Sequence, residues 1–242
     1  MKDKVAIVTG GTGALGRKIS ENLAENGAKV YVPSLSTEEF NKVFDRSDNS
    51  DKENFRLRKI YCFVCNAADE KSVIDFVNNV SVQEKGKIDY LINTVGGISP
   101  AANVIDTTNQ ELEKMIDINF RSAFYFSREV LKIMKKNNFG RIISVGAKAG
   151  LEITPGRFPY SFSKAGVISL METISEEMKE FNIRCNTVIP AVIDTPANRE
   201  WGSKEEIEKW IKPEEISEII LKMLSEEFSF LNGSRIKLFG SL

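Results

Sequence analysis

Val5-Ala6-Ile7-Val8-Thr9-Gly10-Gly11-Thr12-Gly13-Ala14-Leu15-Gly16 joins an unbroken apolar run to a glycine-rich turn. The leading run, rich in β-branched residues, reads as a strand, and the stretch from Ala14 to about Asn26 reads as a helix. Gly11, Gly13 and Gly16 meet the G-x-G-x-x-G spacing. Glycines let the backbone turn sharply and approach a diphosphate, whose charge then sits at the positive end of the following helix. The spacing alone is a weak signal, because glycine-rich turns also serve purely structural ends. A strand before it and a helix after it, at the start of a βαβ unit, supply the context of a dinucleotide site.

Outward from this turn, short β-branched runs alternate with helix-length segments. The runs at 4–9, 28–33, 58–65, 88–93, 140–146, 183–189 and 234–239 read as strands. Amphipathic or capped stretches near 14–26, 69–84, 107–137, 158–181 and 213–226 read as helices. That alternation predicts an α/β fold: a doubly wound parallel sheet of Rossmann-like, three-layer αβα type. Strands such as Val5-Ala6-Ile7-Val8 are apolar without alternation, as a sheet covered on both faces requires. The 242 residues suit one domain, 1–242, and the polar run Ser47–Asn54 is the best candidate for a mobile loop. The helix near 107–137 carries more apolar surface than one core face needs. It is either a buried helix or a subunit contact, the latter giving a homodimer or homotetramer.

Composition narrows the chemistry. With 33 basic against 34 acidic side chains, the charge of -1 gives no reason to expect nucleic acid or an anionic membrane as partner. No apolar run approaches the ~20 residues of a membrane span, and no signal-peptide pattern precedes the first strand. Cys62, Cys65 and Cys185 cannot make a disulfide framework, so a cytoplasmic location is expected. The chain has no histidine, which removes Ser-His-Asp and Cys-His catalysis and every histidine-ligated metal site. No metal-ligand spacing is visible either.

Tyr160-Ser161-Phe162-Ser163-Lys164 sets a phenol and an ammonium at i and i+4, on one face of a helix. A free tyrosine, with a pKa of ~10, is a poor acid or base at neutral pH. A neighbouring ammonium and an oxidised nicotinamide ring would both lower it. By itself the pair is also what an ordinary surface helix carries.

The glycine turn at 9–16, Asn93-Thr94-Val95-Gly96 after the fourth strand, Asn119 in the long helix and the Tyr160/Lys164 pair together resemble the short-chain dehydrogenase/reductase superfamily across the whole chain. The resemblance implies a small-molecule reductase using NAD or NADP. In it Tyr160 is the proton donor, and Lys164 holds the nicotinamide ribose and lowers the tyrosine pKa. Asn119 supports a water linked to Lys164. The cofactor would lie against Gly10, Gly11, Thr12, Gly13, Ala14, Leu15 and Gly16, then Ser34, Asn66 and Ala67. It would continue past Asn93, Thr94, Val95 and Gly96 to Pro190, Val192, Ile193 and Thr195.

Four positions depart from the family pattern. Ala14 and Ala191 stand where glycines are usual, and Ala147 stands where the catalytic serine is expected, thirteen residues before Tyr160. The second strand ends Pro33-Ser34 with no acid there to take the ribose hydroxyls, though Glu38 and Glu39 follow shortly after, which tips the coenzyme only slightly toward NADP over NAD. No arginine stands there either, so a phosphate clamp would come from elsewhere, such as Arg17. A methyl at 147 cannot hydrogen-bond a substrate carbonyl, and Ser144 should point to the other face. The chain is then either an inactive dinucleotide-binding sensor or a member that never used serine. Gly146-Ala147-Lys148-Ala149 with Thr154-Pro155-Gly156 and Asp194–Arg199 is similar to dihydropteridine reductases, whose quinonoid substrate needs little carbonyl polarisation. A 3-oxoacyl-carrier-protein reductase is the alternative enzyme.

Cys62 and Cys65 have C-x-x-C spacing, but on a strand i and i+3 face opposite ways, so a redox pair is not expected. The resemblance further implies that residues 196–212 cover the substrate. Trp201 and Trp210 there, with Arg157 and Phe158 before the tyrosine, suit a planar or aromatic substrate or else plain packing. Lys148 is either a substrate contact or a solvated lysine.

Overall fold

A computed structural model describes residues 1–44 and 59–240. The chain runs β1 (Val5–Thr9), α1 (Ala14–Glu25), β2 (Lys29–Ser34), α2 (Thr37–Val43), β3 (Ile60–Val64), α3 (Glu70–Gln83) and β4 (Tyr90–Asn93). It continues through α4 (Asn109–Met115), α5 (Ser122–Asn137), β5 (Gly140–Val145), α6 (Phe158–Glu177) and β6 (Ile183–Pro190). The last part holds α7 (Pro196–Arg199), α8 (Lys204–Ile207), α9 (Pro213–Met223) and β7 (Arg235–Leu238).

The strands form one parallel sheet in the order β3-β2-β1-β4-β5-β6-β7. The order reverses between β1 and β4, where Thr9 pairs in register with Asn93. A crevice opens beyond the carboxyl ends of strands at such a reversal, and the turns that follow them line it.

Helices cover both faces, so β1 is buried along its whole length and shows no alternation. Ala6 and Val8 pack with Leu15, Ile19 and Leu23 of α1 and Ile216 and Ile220 of α9. Val5 and Ile7 face the other way, against Phe76 and Val80 of α3 and Phe126 and Val130 of α5. Cys62 and Cys65 divide between the same two layers. Burial pushes the Cys62 thiol up and that of Cys65 up to about 11, so the pair is structural, as the strand geometry predicts.

Several boundaries differ from the sequence expectation. The helix expected over 107–137 is two α segments joined by a π-helical stretch, Ile116–Arg121, which carries Asn119. Such a stretch adds a residue to the turn and rotates one side chain out of the α register, which hydropathy cannot reveal. The helix expected to 181 ends at Glu177, and a short 3-10 turn then closes on Asn182 in the left-handed region at φ 51°. The last helix ends at Met223 rather than 226. Helix α2 was not anticipated. The run Ser47–Asn54 lies outside the described residues. Among those described, no helix is long and apolar enough to cross a membrane.

Candidate active site

Gly10 turns the chain out of β1 at φ 65°, a conformation that an L side chain rarely adopts. A Cβ there would also lie 2.9 Å from Thr94 Oγ1. Thr94 is itself tied to the end of β1, its hydroxyl donating to the Thr9 carbonyl oxygen at 2.6 Å. The two strand ends are thus stitched together under the turn, with Val95 N donating to Thr9 Oγ1 at 3.4 Å. Gly11, Leu15 and Gly16 are buried in the turn, Thr12 is half-buried, and Gly13 and Ala14 stand exposed at its rim. Gly13 caps α1 without any side-chain hydrogen bond, which leaves the first N–H groups of the helix to the crevice. Those groups fit a diphosphate. Ala14 and Ala191 both sit outside the left-handed region, so their methyls cost no backbone strain.

Tyr160 and Lys164 lie one turn apart on α6, which starts at Phe158 with Pro159 in its first turn. Lys164 is buried, and its Nζ donates to the Val145 carbonyl oxygen at 2.9 Å, at the end of β5. Asn119 is buried too: its Oδ1 accepts from Gly97 N and its Nδ2 donates to Gly97 O, both at 3.0 Å. Between them lies Gly96, where a Cβ would stand 2.7 Å from Asn119 Oδ1 and 3.0 Å from Lys164 Nζ. The π-helical stretch, the turn after β4 and α6 therefore bring Asn119, Gly96 and Lys164 together.

Burial pulls the Lys164 ammonium down to about 8 and pushes the Tyr160 phenol up to about 12. The resemblance implied that Lys164 lowers the tyrosine. In the protein by itself burial dominates instead, and the opposing charge is the Arg157 guanidinium. Lys164 is turned to the Val145 carbonyl. Without coenzyme the phenol is therefore protonated at neutral pH but is a weaker acid than a free tyrosine, so burial alone does not activate it.

Ala147 is buried and extended, at the start of a 3-10 turn over Lys148–Gly150. Ser144 points into the layer beneath α5 and α6, accepting from Asn93 Nδ2 at 3.1 Å and donating to Met171 Sδ at 3.1 Å. The Asn93 side chain therefore faces the interior, where it also donates to Ser127 Oγ at 3.2 Å, and only its backbone borders the crevice. Asn66 is exposed after β3, its Oδ1 accepting from Ala68 N, while Ala67 packs on the α3 layer. On the far side, Val192 O accepts from Ile211 N, and Asp194 N donates to Ile211 O, fixing the segment after Pro190. Ile193 bridges Ile211 in the same pairing. The Thr195 hydroxyl accepts from Asn198 N and so caps α7.

Arg157 caps α6 and donates through Nη1 to the Ser99 carbonyl oxygen. With Ala102 N donating to Gly156 O at 3.0 Å, this ties the loop after β4 to the loop before α6. A cavity of about 470 Å³ opens there, lined by Ala101, Ala102, Asn103, Asp106, Pro155 and Gly156. Trp201 and Trp210 pack with ring centroids 4.9 Å apart, Trp210 buried and Trp201 exposed. Lys148 lies 3.8 Å from Glu152 and over the Phe239 ring.

The sequence leaves the end of β2 itself without an acid, with Glu38 and Glu39 just beyond it, and the structure brings Glu39 back to the strand. Its Oε1 accepts from Thr12 Oγ1 at 2.8 Å and its Oε2 from Ser34 Oγ at 2.9 Å. The Thr12 bond above all holds its carboxyl below the usual range. The helix that carries it starts at Ser36-Thr37-Glu38-Glu39, a serine followed three residues later by glutamate. Arg17, named as one source of a phosphate clamp, is exposed and pairs with Glu21 at 2.7 Å.

A family profile for short chain dehydrogenases matches residues 4–206. The chain belongs to that family and is an NAD(P)-dependent dehydrogenase or reductase. It is 28% identical over 250 residues to a 3-oxoacyl-acyl-carrier-protein reductase of Thermotoga maritima, covering 100% of this chain and 98% of that one. It is 30% identical over 247 residues to a cyclopentanol dehydrogenase of Comamonas sp., covering 98% and 95%. The crystal structure of gox2181 superposes with a TM-score of 0.90 at 26% identity, covering 100% and 96%.

Proposed function

We propose that the chain is a cytoplasmic reductase that adds a hydride and a proton across a carbonyl or a quinonoid C=N bond. A nicotinamide dinucleotide supplies the hydride. Tyr160 supplies the proton, from the phenol oxygen to the carbonyl oxygen or ring nitrogen as that atom gains charge. Lys164, with one of its three N–H donors on Val145, has two left for a nicotinamide ribose and for the phenolate that proton transfer leaves behind. Asn119 holds the Gly96–Gly97 turn against the lysine and positions it. Gly10 to Gly16 and the open end of α1 take the diphosphate, with Thr94, Val95 and Gly96 beneath. Asn66 and Ala67 border the adenine, and Val192, Ile193 and Thr195 the nicotinamide.

The observation that carries this reading is the convergence of Lys164 and Asn119 on Gly96, one helical turn from Tyr160. An inactive dinucleotide-binding sensor would also use the buried Lys164 and Asn119 on the ribose, but it has no need of the Tyr160 phenol one helical turn away. The coenzyme expectation of NADP rested on the lack of an acid at the end of β2, and Glu39 removes that ground.

Ala147 favours a substrate that needs no polarising hydroxyl, and a dihydropteridine-type quinonoid fits. The relatives' names favour a ketoreductase instead, acting on a 3-oxoacyl thioester or a cyclic ketone. The segment 196–212 with Trp201 covers the substrate in either case. The half-buried row Leu112, Ile116, Phe120 and Phe124 suits a subunit contact in a homodimer or homotetramer. Oxidation of NADH and NADPH, followed with quinonoid dihydropterin, a cyclic ketone and a 3-oxoacyl thioester, tests the assignment. Turnover of the first alone supports the pterin reading. Turnover of the ketones alone replaces it, and turnover of none across a wider ketone panel supports the sensor.

A further inference from the structure

Glutamate three residues after a helix-capping serine or threonine ordinarily turns back to the capping residue's own N–H. Two short helices of this chain show it: Glu111 accepts from Thr108 N at 3.1 Å, and Glu206 from Ser203 N at 2.9 Å. At α2 only half of the pattern forms. Ser36 Oγ accepts from Glu39 N at 3.1 Å, but the carboxylate does not return to Ser36. It swings toward the carboxyl end of β2 and takes Thr12 from the glycine turn, Ser34 from the end of β2, and Leu35 N at 3.2 Å. A capping role does not account for that placement.

The place it occupies has a chemical meaning. With a diphosphate at the open end of α1, the next group outward along a bound dinucleotide is the adenosine ribose, and β2 is the neighbouring strand on that side. An ionised carboxylate has about four acceptor sites, and three are filled here. Oε1 keeps one free, and the Thr12 and Ser34 hydroxyls can rotate to accept as well as donate. Two ribose hydroxyls, both donors, suit this set. A phosphate ester, carrying nearly two negative charges and no donor at neutral pH, meets a carboxylate that its hydrogen bonds keep ionised.

We infer that Glu39 selects the coenzyme: its carboxylate binds the adenosine ribose hydroxyls and turns away a phosphate on that ribose, so the protein binds NADH in preference to NADPH. This rests on the dinucleotide site proposed above. The selecting acid comes from the first turn of α2 and reaches back to the strand, where Ser34 stands in its way as a bridge rather than as the acid itself.

Titration of the full-length protein with NADH and with NADPH, read by nicotinamide fluorescence, tests the inference without any substrate. The wild type should bind NADH about tenfold or more tightly than NADPH, the scale of one charge-assisted hydrogen bond. Glu39→Gln keeps the size and loses the charge, and should shrink that ratio by about tenfold, chiefly through tighter NADPH. Equal or tighter NADPH binding by the wild type overturns the role of Glu39. So does an unchanged ratio in Glu39→Gln with both affinities lowered together, which is what a purely structural latch between Thr12 and Ser34 would give. Binding of neither nucleotide by the folded wild type overturns the dinucleotide site, and this inference with it.

Discussion

A β-carbon on Gly96 would stand 2.7 Å from the amide oxygen of Asn119, closer than real carbon–oxygen contacts come. The same carbon would meet Lys164 Nζ at 3.0 Å. Glycine at 96 is therefore a condition for the asparagine and the lysine to share one small space, and the turn after β4 is built around it.

Gly96→Ala follows from that contact. The methyl must displace either Asn119 from its two bonds to Gly97 or Lys164 from Val145. Overpacking of this kind costs about 1–3 kcal/mol. The expected result is a lowered unfolding midpoint in denaturant together with lost turnover. A variant as stable and active as the wild type would show that the two side chains do not need this geometry.

Lys164 gives a pH dependence of defined sign. Burial pulls its pKa from 10.5 down to about 8. Between those values the unfolded chain binds the proton and the folded chain releases it, so stability rises with pH across that window. Below about pH 8 both states are protonated, and the full cost of burying the ammonium remains. Relative to Lys164→Met, the wild type should gain on the order of 2–3 kcal/mol between about pH 8 and 10.5, measured by denaturant unfolding without coenzyme. Parallel stability curves for the two proteins would contradict a buried, depressed lysine.

Ala147→Ser restores a hydroxyl where the family carries one. Position 147 is buried and extended at the mouth of the site, and one oxygen adds little volume. The variant should fold normally and turn over plain cyclic ketones faster than the wild type, by about tenfold or more for one added hydrogen bond to the carbonyl oxygen. A sharp loss of activity on every substrate would show that the methyl shapes the pocket.

The sheet was legible because its strands are short apolar runs with glycine or polar residues at their ends, and β1, β5 and β6 fall where those runs lie. The site was legible where chemistry and spacing coincide, as with the glycine turn and the i, i+4 pair on α6. What escaped has physical reasons. The π-helical stretch at Asn119 leaves the apolar period of its helix almost unchanged. Glu39 belongs to a seven-residue helix, and its carboxylate reaches Thr12, 27 residues away, which no local pattern can show. Asn93 borders the crevice by its backbone alone, because its position in the strand turns the amide inward to Ser127 and Ser144, which a motif does not tell. Burial, invisible in sequence, raises the Tyr160 phenol in the protein without coenzyme, and the charge that opposes it is that of Arg157, while Lys164 is turned to a carbonyl.

The central claim is that Tyr160 delivers the proton while other residues hold the coenzyme. Its most direct test measures turnover and coenzyme affinity together for Tyr160→Phe. That change removes one oxygen and leaves the ring in place. With a substrate that the wild type reduces, kcat should fall by about 100-fold or more, while the dissociation constant for the coenzyme stays within about threefold. Undiminished turnover would contradict the account, and so would a loss of coenzyme binding that matches the loss of activity.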